Sequence, residues 1–253
     1  MNTTSILPRS VAAIGLSMAL LTPAFAQERD AQAILERSDI SRGGSSENGL
    51  VWEVLITAKG TGSEDLTDQQ LRVKASKTSS LAEVLEPVSS KGTKMLQVER
   101  NMWIGKPGLR KPVAISARQR LSGQAAIGDV AATNYAKDYA PRYVQEEKVD
   151  NELCHVLDLT SKNNKTTYDR IMYWVSTERG VAVKADFMSL SGKRLKSAVF
   201  EYKNVVRLGP QSVPFVSKMV ISDALTDSVT TLTFQKISTR GVSAADFDVA
   251  NLQ

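Results

Sequence analysis

The sequence predicts a mainly β protein built on one large curved antiparallel sheet, and three observations carry that expectation. Between Leu50 and Ile237 the chain is a series of short runs in which apolar and polar residues alternate, with turn residues recurring about every 8 to 12 positions. Turn signals such as Asp150-Asn151, Asn163-Asn164, Arg179-Gly180 and Ser191-Gly192 separate consecutive runs, where antiparallel neighbours join directly. Some runs are apolar on both faces: Ile171, Tyr173 and Val175 oppose Tyr168, Met172 and Trp174. Roughly ten or eleven such strands make a sheet that curls, and its concave side must be covered or filled.

In chain order, Met1 to Arg9 carries one positive charge, Val11 to Leu21 is apolar, and Ala24-Phe25-Ala26 offers small residues to a signal peptidase. We expect cleavage after Ala26, which leaves 27–253 as a single exported domain. The apolar run is shorter than the roughly 20 residues that span a bilayer, so an integral membrane protein is not expected. The only cysteine, Cys154, lies far from the cleavage point, so it offers no lipid attachment there and no internal disulfide.

Glu28 to Ser41 spaces Ala31, Ile34, Leu35 and Ser38 for a short amphipathic helix, ended by Arg42-Gly43-Gly44. Leu50 to Ala58 puts Trp52, Val54 and Ile56 on one strand face, and Gln69 to Ser76 does the same for Leu71 and Val73. Strands Leu81 to Glu86 and Lys94 to Arg100 follow. The stretch Val98 to Tyr143 breaks the pattern: it opens as a strand through Met102, Trp103 and Ile104, then meets Gly105, Pro107, Gly108 and Pro112. Connections of this length are uncommon unless they serve as lids or binding loops. We expect Asp129 to N-cap a helix from about Val130 to Asp138, with Tyr135 and Tyr139 on the face that rests on the sheet. Further strands are expected at Tyr143 to Val149, Leu153 to Thr160, Tyr168 to Ser176, Val181 to Leu190, Arg194 to Asn204, Val213 to Ser222 and Ser228 to Ile237.

Catalytic and metal chemistry lack their usual residues. A single histidine, His155, does not make a zinc site, and no G-x-S-x-G elbow, phosphate loop or dinucleotide fingerprint is present. The formal net charge of +5 is spread over scattered basic residues, which is not a nucleic-acid footprint. We therefore expect no enzyme, no cofactor, no metal site and no nucleic-acid partner.

The Met102-Trp103-Ile104 strand runs into a basic loop broken by Pro107 and holding Arg110 and Lys111. Gly128-Asp129, Asn134-Tyr135 and Asp138-Tyr139 follow, then YDRIMYWV from Tyr168 and SGKRLK from Ser191. With these residues the chain resembles the LolA-like outer-membrane lipoprotein-sorting family, and most closely the branch associated with RND-type exporters. The resemblance implies an unclosed β-barrel with a helical lid, holding acyl chains in an apolar cavity and carrying lipid or acylated lipoprotein cargo across the periplasm. An accessory or regulatory subunit of an RND-type exporter is the alternative it leaves open. For the cavity we assign Trp52, Val54, Ile56, Leu71, Val73 and Trp103, residues that would serve equally as filled core, and for the lid Asp129, Tyr135 and Tyr139. N-terminal sequencing of the exported protein should begin at Gln27; soluble periplasmic protein that retains Met1 would overturn the cleavage assignment.

Overall fold

The structure is a computed structural model that describes residue 1 and residues 30–44, 49–61, 67–131 and 134–252. Apart from residue 1, the expected leader 1–26 lies outside the described residues. The elements before the central stretch are α1 (Ala31–Ile40), β1 (Leu50–Lys59), β2 (Gln69–Ala75), β3 (Ser79–Glu86) and β4 (Lys94–Val98). The central stretch holds β5 (Asn101–Gly105), β6 (Val113–Ile115), β7 (Arg120–Ser122), β8 (Ala125–Ala126), α2 (Ile127–Ala131) and α3 (Tyr135–Asp138). After it come β9 (Tyr139–Val149), β10 (Glu152–Ser161), β11 (Arg170–Ser176), β12 (Ala182–Met188) and β13 (Arg194–Glu201). The last strands are β14 (Asn204–Leu208), β15 (Gln211–Phe215), β16 (Lys218–Asp223) and β17 (Val229–Ser238).

Among the described residues thirteen strands pair into one antiparallel sheet; the antiparallel arrangement is the one the turn spacing predicts, and the sheet is wider than the ten or eleven strands expected. The chain enters at the middle of the sheet with β1 and runs outward strand by strand to β6. It then leaves the sheet, re-enters at the opposite edge with β9, and works inward to β17, which pairs with β1. The sheet is a circular meander opened at one place, between β6 and β9. Strands from both halves share one hydrophobic core, in which Met95 and Met102 near one edge join Leu157 and Leu159 near the other. Only a curled sheet brings those edges to a common interior.

Register explains which residues face inward. Val54 lies opposite Leu71 on one side and Phe234 on the other; Ile56 lies opposite Leu232. Every second residue of these strands is fully buried, whereas Arg72 between Leu71 and Val73 is exposed. Helix α1 starts at Asp30, whose carboxylate caps Ala33 N–H at 3.0 Å, and it buries Leu35 against the core. The chain leaves α1 through Gly43 at φ +90°, where a Cβ would stand 2.9 Å from the Trp52 ring. Glycine is needed there for the left-handed turn and for room beside the indole.

Two expectations need correction. The expected strand Val213 to Ser222 is two strands, β15 and β16, because Val216 and Ser217 turn the chain between sheets. Asn204 Nδ2 donates to the carbonyls of Val216 and Phe234 at 3.0 and 2.9 Å, and Ser217 Oγ donates to Glu201 O at 3.0 Å. Those bonds hold the bend, and β14 with β15 forms a separate hairpin that the apolar pattern did not distinguish. The expected lid helix Val130 to Asp138 is two shorter helices, α2 and α3, and it is Asn134 that caps the second, its Oδ1 accepting from Lys137 N–H at 3.1 Å.

Among the described residues no helix is long and apolar enough to cross a membrane. Because Val54 is fully buried between packed neighbours, Val54→Phe should lower stability by about 1 to 3 kcal/mol through overpacking. Thermal melting measures it, and an unchanged Tm would reveal free interior volume behind β1.

Candidate functional site

The segment between β6 and β9 covers the inner face of the sheet, and two sets of buried polar groups hold it there. The first joins α3 to α1. Ala136 N–H donates to Asp39 Oδ2 at 2.7 Å, and Asn134 Nδ2 donates to Gly44 O at 2.6 Å. Asp39 is fully buried and, among the described residues, its Oδ1 has no hydrogen-bond partner. Burial pushes its carboxyl up to about 7, against the opposing pull of the Ala136 hydrogen bond and the nearby Arg42 charge. Arg42 is itself buried and presents its guanidinium to aromatic faces, 4.4 Å from the Tyr135 ring centre and 5.4 Å from that of Phe200. The Tyr135 ring packs edge-on against Tyr139 at 5.2 Å and Tyr173 at 5.6 Å, so it rests on β11.

The second set lies beneath α2. Asp129 does not cap the expected helix: its carboxylate accepts the Ala126 N–H at 2.8 Å and the Tyr168 hydroxyl at 2.8 Å. Lys196 Nζ from β13 stands 3.9 Å from the same carboxylate and also donates to Gln124 O. Burial pulls the Lys196 ammonium down from its ordinary pKa, and Asp129 opposes that. Tyr139 Oη donates to Tyr168 O and accepts from Tyr168 N–H, both at 3.1 Å. Gly128 lies so close to Thr167 that a Cβ would overlap the threonine side chain, so α2 sits directly on the segment before β11.

The sequence-assigned residues therefore fall into three places. Trp52, Val54, Ile56, Leu71 and Val73 are each no more than 1% exposed and lie in the packed core beneath the cover. Asp129, Tyr135 and Tyr139 are brought together in the cover, all buried. Trp103 stands apart from both, half-buried near the open edge, where it contributes to the wall of a surface pocket.

That pocket, of about 530 Å³, occupies the opening between the two halves of the sheet. One wall comes from β4, β5 and the stretch through β6 to Ala117, the other from residues 164–167 between β10 and β11. Met102 and Ile115 face each other across β5 and β6, and with Ala117 they form the edge of the central core. Polar bridges cross the opening: Arg118 pairs with Asp169 at 2.7 Å and donates to Thr166 O, Lys165 Nζ donates to Asn101 Oδ1 at 2.7 Å, and Arg100 pairs with Asp138 at 3.2 Å. Asp39, Arg42 and Lys196 were not singled out by sequence. The one local signal was Arg42, a cation placed directly between an amphipathic helix and a glycine pair. Among the described residues, no cluster of three or more His, Cys, Asp and Glu has a metal-binding arrangement.

An open antiparallel sheet curled around one apolar core, with a helix-bearing insert where a closing strand pair would stand, defines the class of unclosed β-barrels with a helical cover. Comparison with known proteins agrees. A LolA superfamily protein from Nitrosomonas europaea superposes with a TM-score of 0.73 at 30% identity, covering 86% of this chain and 97% of that one. A domain from Vibrio parahaemolyticus assigned to outer-membrane lipoprotein sorting gives 0.73 at 17% identity, covering 88% and 97%. A DUF1329 family protein from Desulfovibrio piger gives 0.70 at 18% identity, covering 88% and 99%; these two share the fold. A family model described as "Uncharacterized protein" matches residues 76–253, and no curated relative matches. The chain belongs to the LolA superfamily.

The raised Asp39 pKa has a defined consequence. Between pH 3.8 and about 7 the folded protein keeps a proton that the unfolded chain has lost. Stability contributed by Asp39 is thus fully present at low pH and falls as pH rises through that window, by on the order of 4 kcal/mol. Asp39→Asn, which mimics the protonated form, should flatten this slope and melt higher than the parent at pH 8; parallel pH–stability curves for the two proteins would disprove it.

Proposed function

We propose that this protein is a periplasmic carrier, its mature chain starting at Gln27, that takes a lipid or lipidated protein into its apolar interior and moves it towards the outer membrane. The observation that carries the reading is a continuous apolar core under a cover of two very short helices, which add Val130, Ala131 and Tyr135 to that core and are set in place by buried polar groups. Family membership supports it, as does the assignment of a fold neighbour to lipoprotein sorting. The physical basis is burial: each methylene moved from water into such an interior gains about 0.8 kcal/mol, so a carrier needs no catalytic group.

The core is packed in this state, so cargo enters only as the cover lifts. Helices α2 and α3 contain five and four residues, too few to persist without tertiary contacts. Lifting exposes the buried polar and charged groups of Asp39, Arg42, Asp129 and Lys196 to water, which offsets part of the lost packing. Cargo binds the open state and shifts the population towards it. If cargo binding instead alters a contact with an exporter, the protein acts as an accessory subunit, and pull-down with and without lipid separates the two roles.

Intact-mass spectrometry of gently purified protein, followed by solvent extraction, should find lipid in stoichiometric amount. Asn134→Ala removes both the Gly44 bond and the α3 cap, and should raise the off-rate of a fluorescent phospholipid several-fold while costing about 1 kcal/mol in stability. Protein that cannot take up any labelled lipid would sink the carrier reading.

A further inference from the structure

The seam pocket between β6 and residues 164–167 combines an apolar floor with cations that are only partly satisfied. Lys165 is exposed, and its ammonium has the neutral Asn101 amide as its hydrogen-bond partner, with no ion pair among the described residues. One of its three N–H donors is used. Arg100 spends one N–H on Asp138 and one on Lys137 O at 2.9 Å, leaving the rest of its five donors. Two cations therefore face one carboxylate, Asp138, in the pocket lining. Below these groups, Met102, Ile115 and Ala117 lead into the central core.

We propose that the seam pocket is a headgroup seat for an anionic amphiphile with one hydrocarbon chain. The anionic group sits on Lys165 and Arg100, and the chain lies over Met102, Ile115 and Ala117. This rests on the lipid-carrier reading and specifies where the polar end of a cargo is held and what charge it carries. A volume of about 530 Å³ is that of a small-ligand site, which suits one chain rather than two. Charge decides the class: an uncompensated ammonium beside an apolar floor selects an anion, and a chainless anion would leave that floor wet.

The test is calorimetric titration of the full exported chain, below micellar concentrations, with 16-carbon lysophosphatidylglycerol and with the neutral monoacylglycerol of the same chain. Lys165→Gln should weaken the anionic lipid about tenfold, as expected for loss of a charge-assisted contact, and leave the neutral lipid unchanged. Ile115→Trp should weaken both, with thermal melting used to check folding. Since Lys165 is exposed, its variant reports on binding and not on stability. Unchanged affinity of Lys165→Gln for lysophosphatidylglycerol, or inorganic phosphate binding as tightly as the lipid, would overturn the seat while leaving the carrier reading standing. A parent protein that binds neither lysolipid but does take up diacyl phospholipid would also overturn the seat alone; uptake of no lipid of any kind would remove both.

Discussion

The sheet cannot close, and its inner face cannot be left wet. Strand β6 has three residues, and among the described residues it pairs on one side only, as β9 does with β10 at the other edge. Between them the apolar interior would meet water, so its cover has to come from outside the sheet. Helix α1 supplies part of it, and the chain between the two edges supplies the rest. The placement of α2 and α3, the aromatic contacts of Tyr135 and the bridges across the opening all follow from this requirement. Buried charge is a poor way to gain stability, because desolvation offsets most of the attraction. It is, however, a directional way to set two very short helices in one position. Asp129 reaching Tyr168 and Asp39 reaching Ala136 N–H each fix an orientation that apolar packing alone would leave loose.

The two free edges are protected differently. Strand β9 carries Arg142, Glu146, Glu147 and Lys148 and includes Pro141, features that discourage pairing with another chain. Asp158 on the neighbouring β10 binds Arg170 through two oxygens at 2.6 and 2.8 Å and Arg142 at 2.7 Å, which ties β9, β10 and β11 together at one end. Those arginine hydrogen bonds hold the Asp158 carboxyl below its ordinary pKa. The β6 edge is merely short. It is this less defended edge that borders the pocket, so access to the interior and weakness of the sheet coincide.

Much of the fold is legible in the sequence because its information is local. The alternation of Leu71 and Val73 with Arg72 and Lys74 assigns the faces of β2 without help from the rest of the chain, and the turn pairs mark strand ends. The cover was only half legible. Gly128-Asp129 has the local look of a helix start, and nothing nearby says that the carboxylate turns inward. Its partners, Tyr168 and Lys196, lie on distant strands that only the folded sheet brings beneath it. The same limit hid the seam, which is assembled from four segments around Arg100, Ile115, Asp138 and Lys165. Strand alternation placed Trp52, Val54 and Ile56 on the inner face correctly, but a periodic apolar pattern does not distinguish a filled interior from a lined one.

The pairing of β1 with β17 also constrains when the molecule can exist. Val54 finds its partner Phe234 only after nearly the whole chain is available, and the central ladder of the sheet is therefore its most non-local contact. Topologies dominated by such pairings form slowly, since loop closure is unfavourable until the distant strands meet. An incomplete chain has β1 with one edge unpaired and no way to seal the interior. A polypeptide built this way seals its interior only once its last strand has been delivered, so the C-terminal strand completes the sheet and the core together.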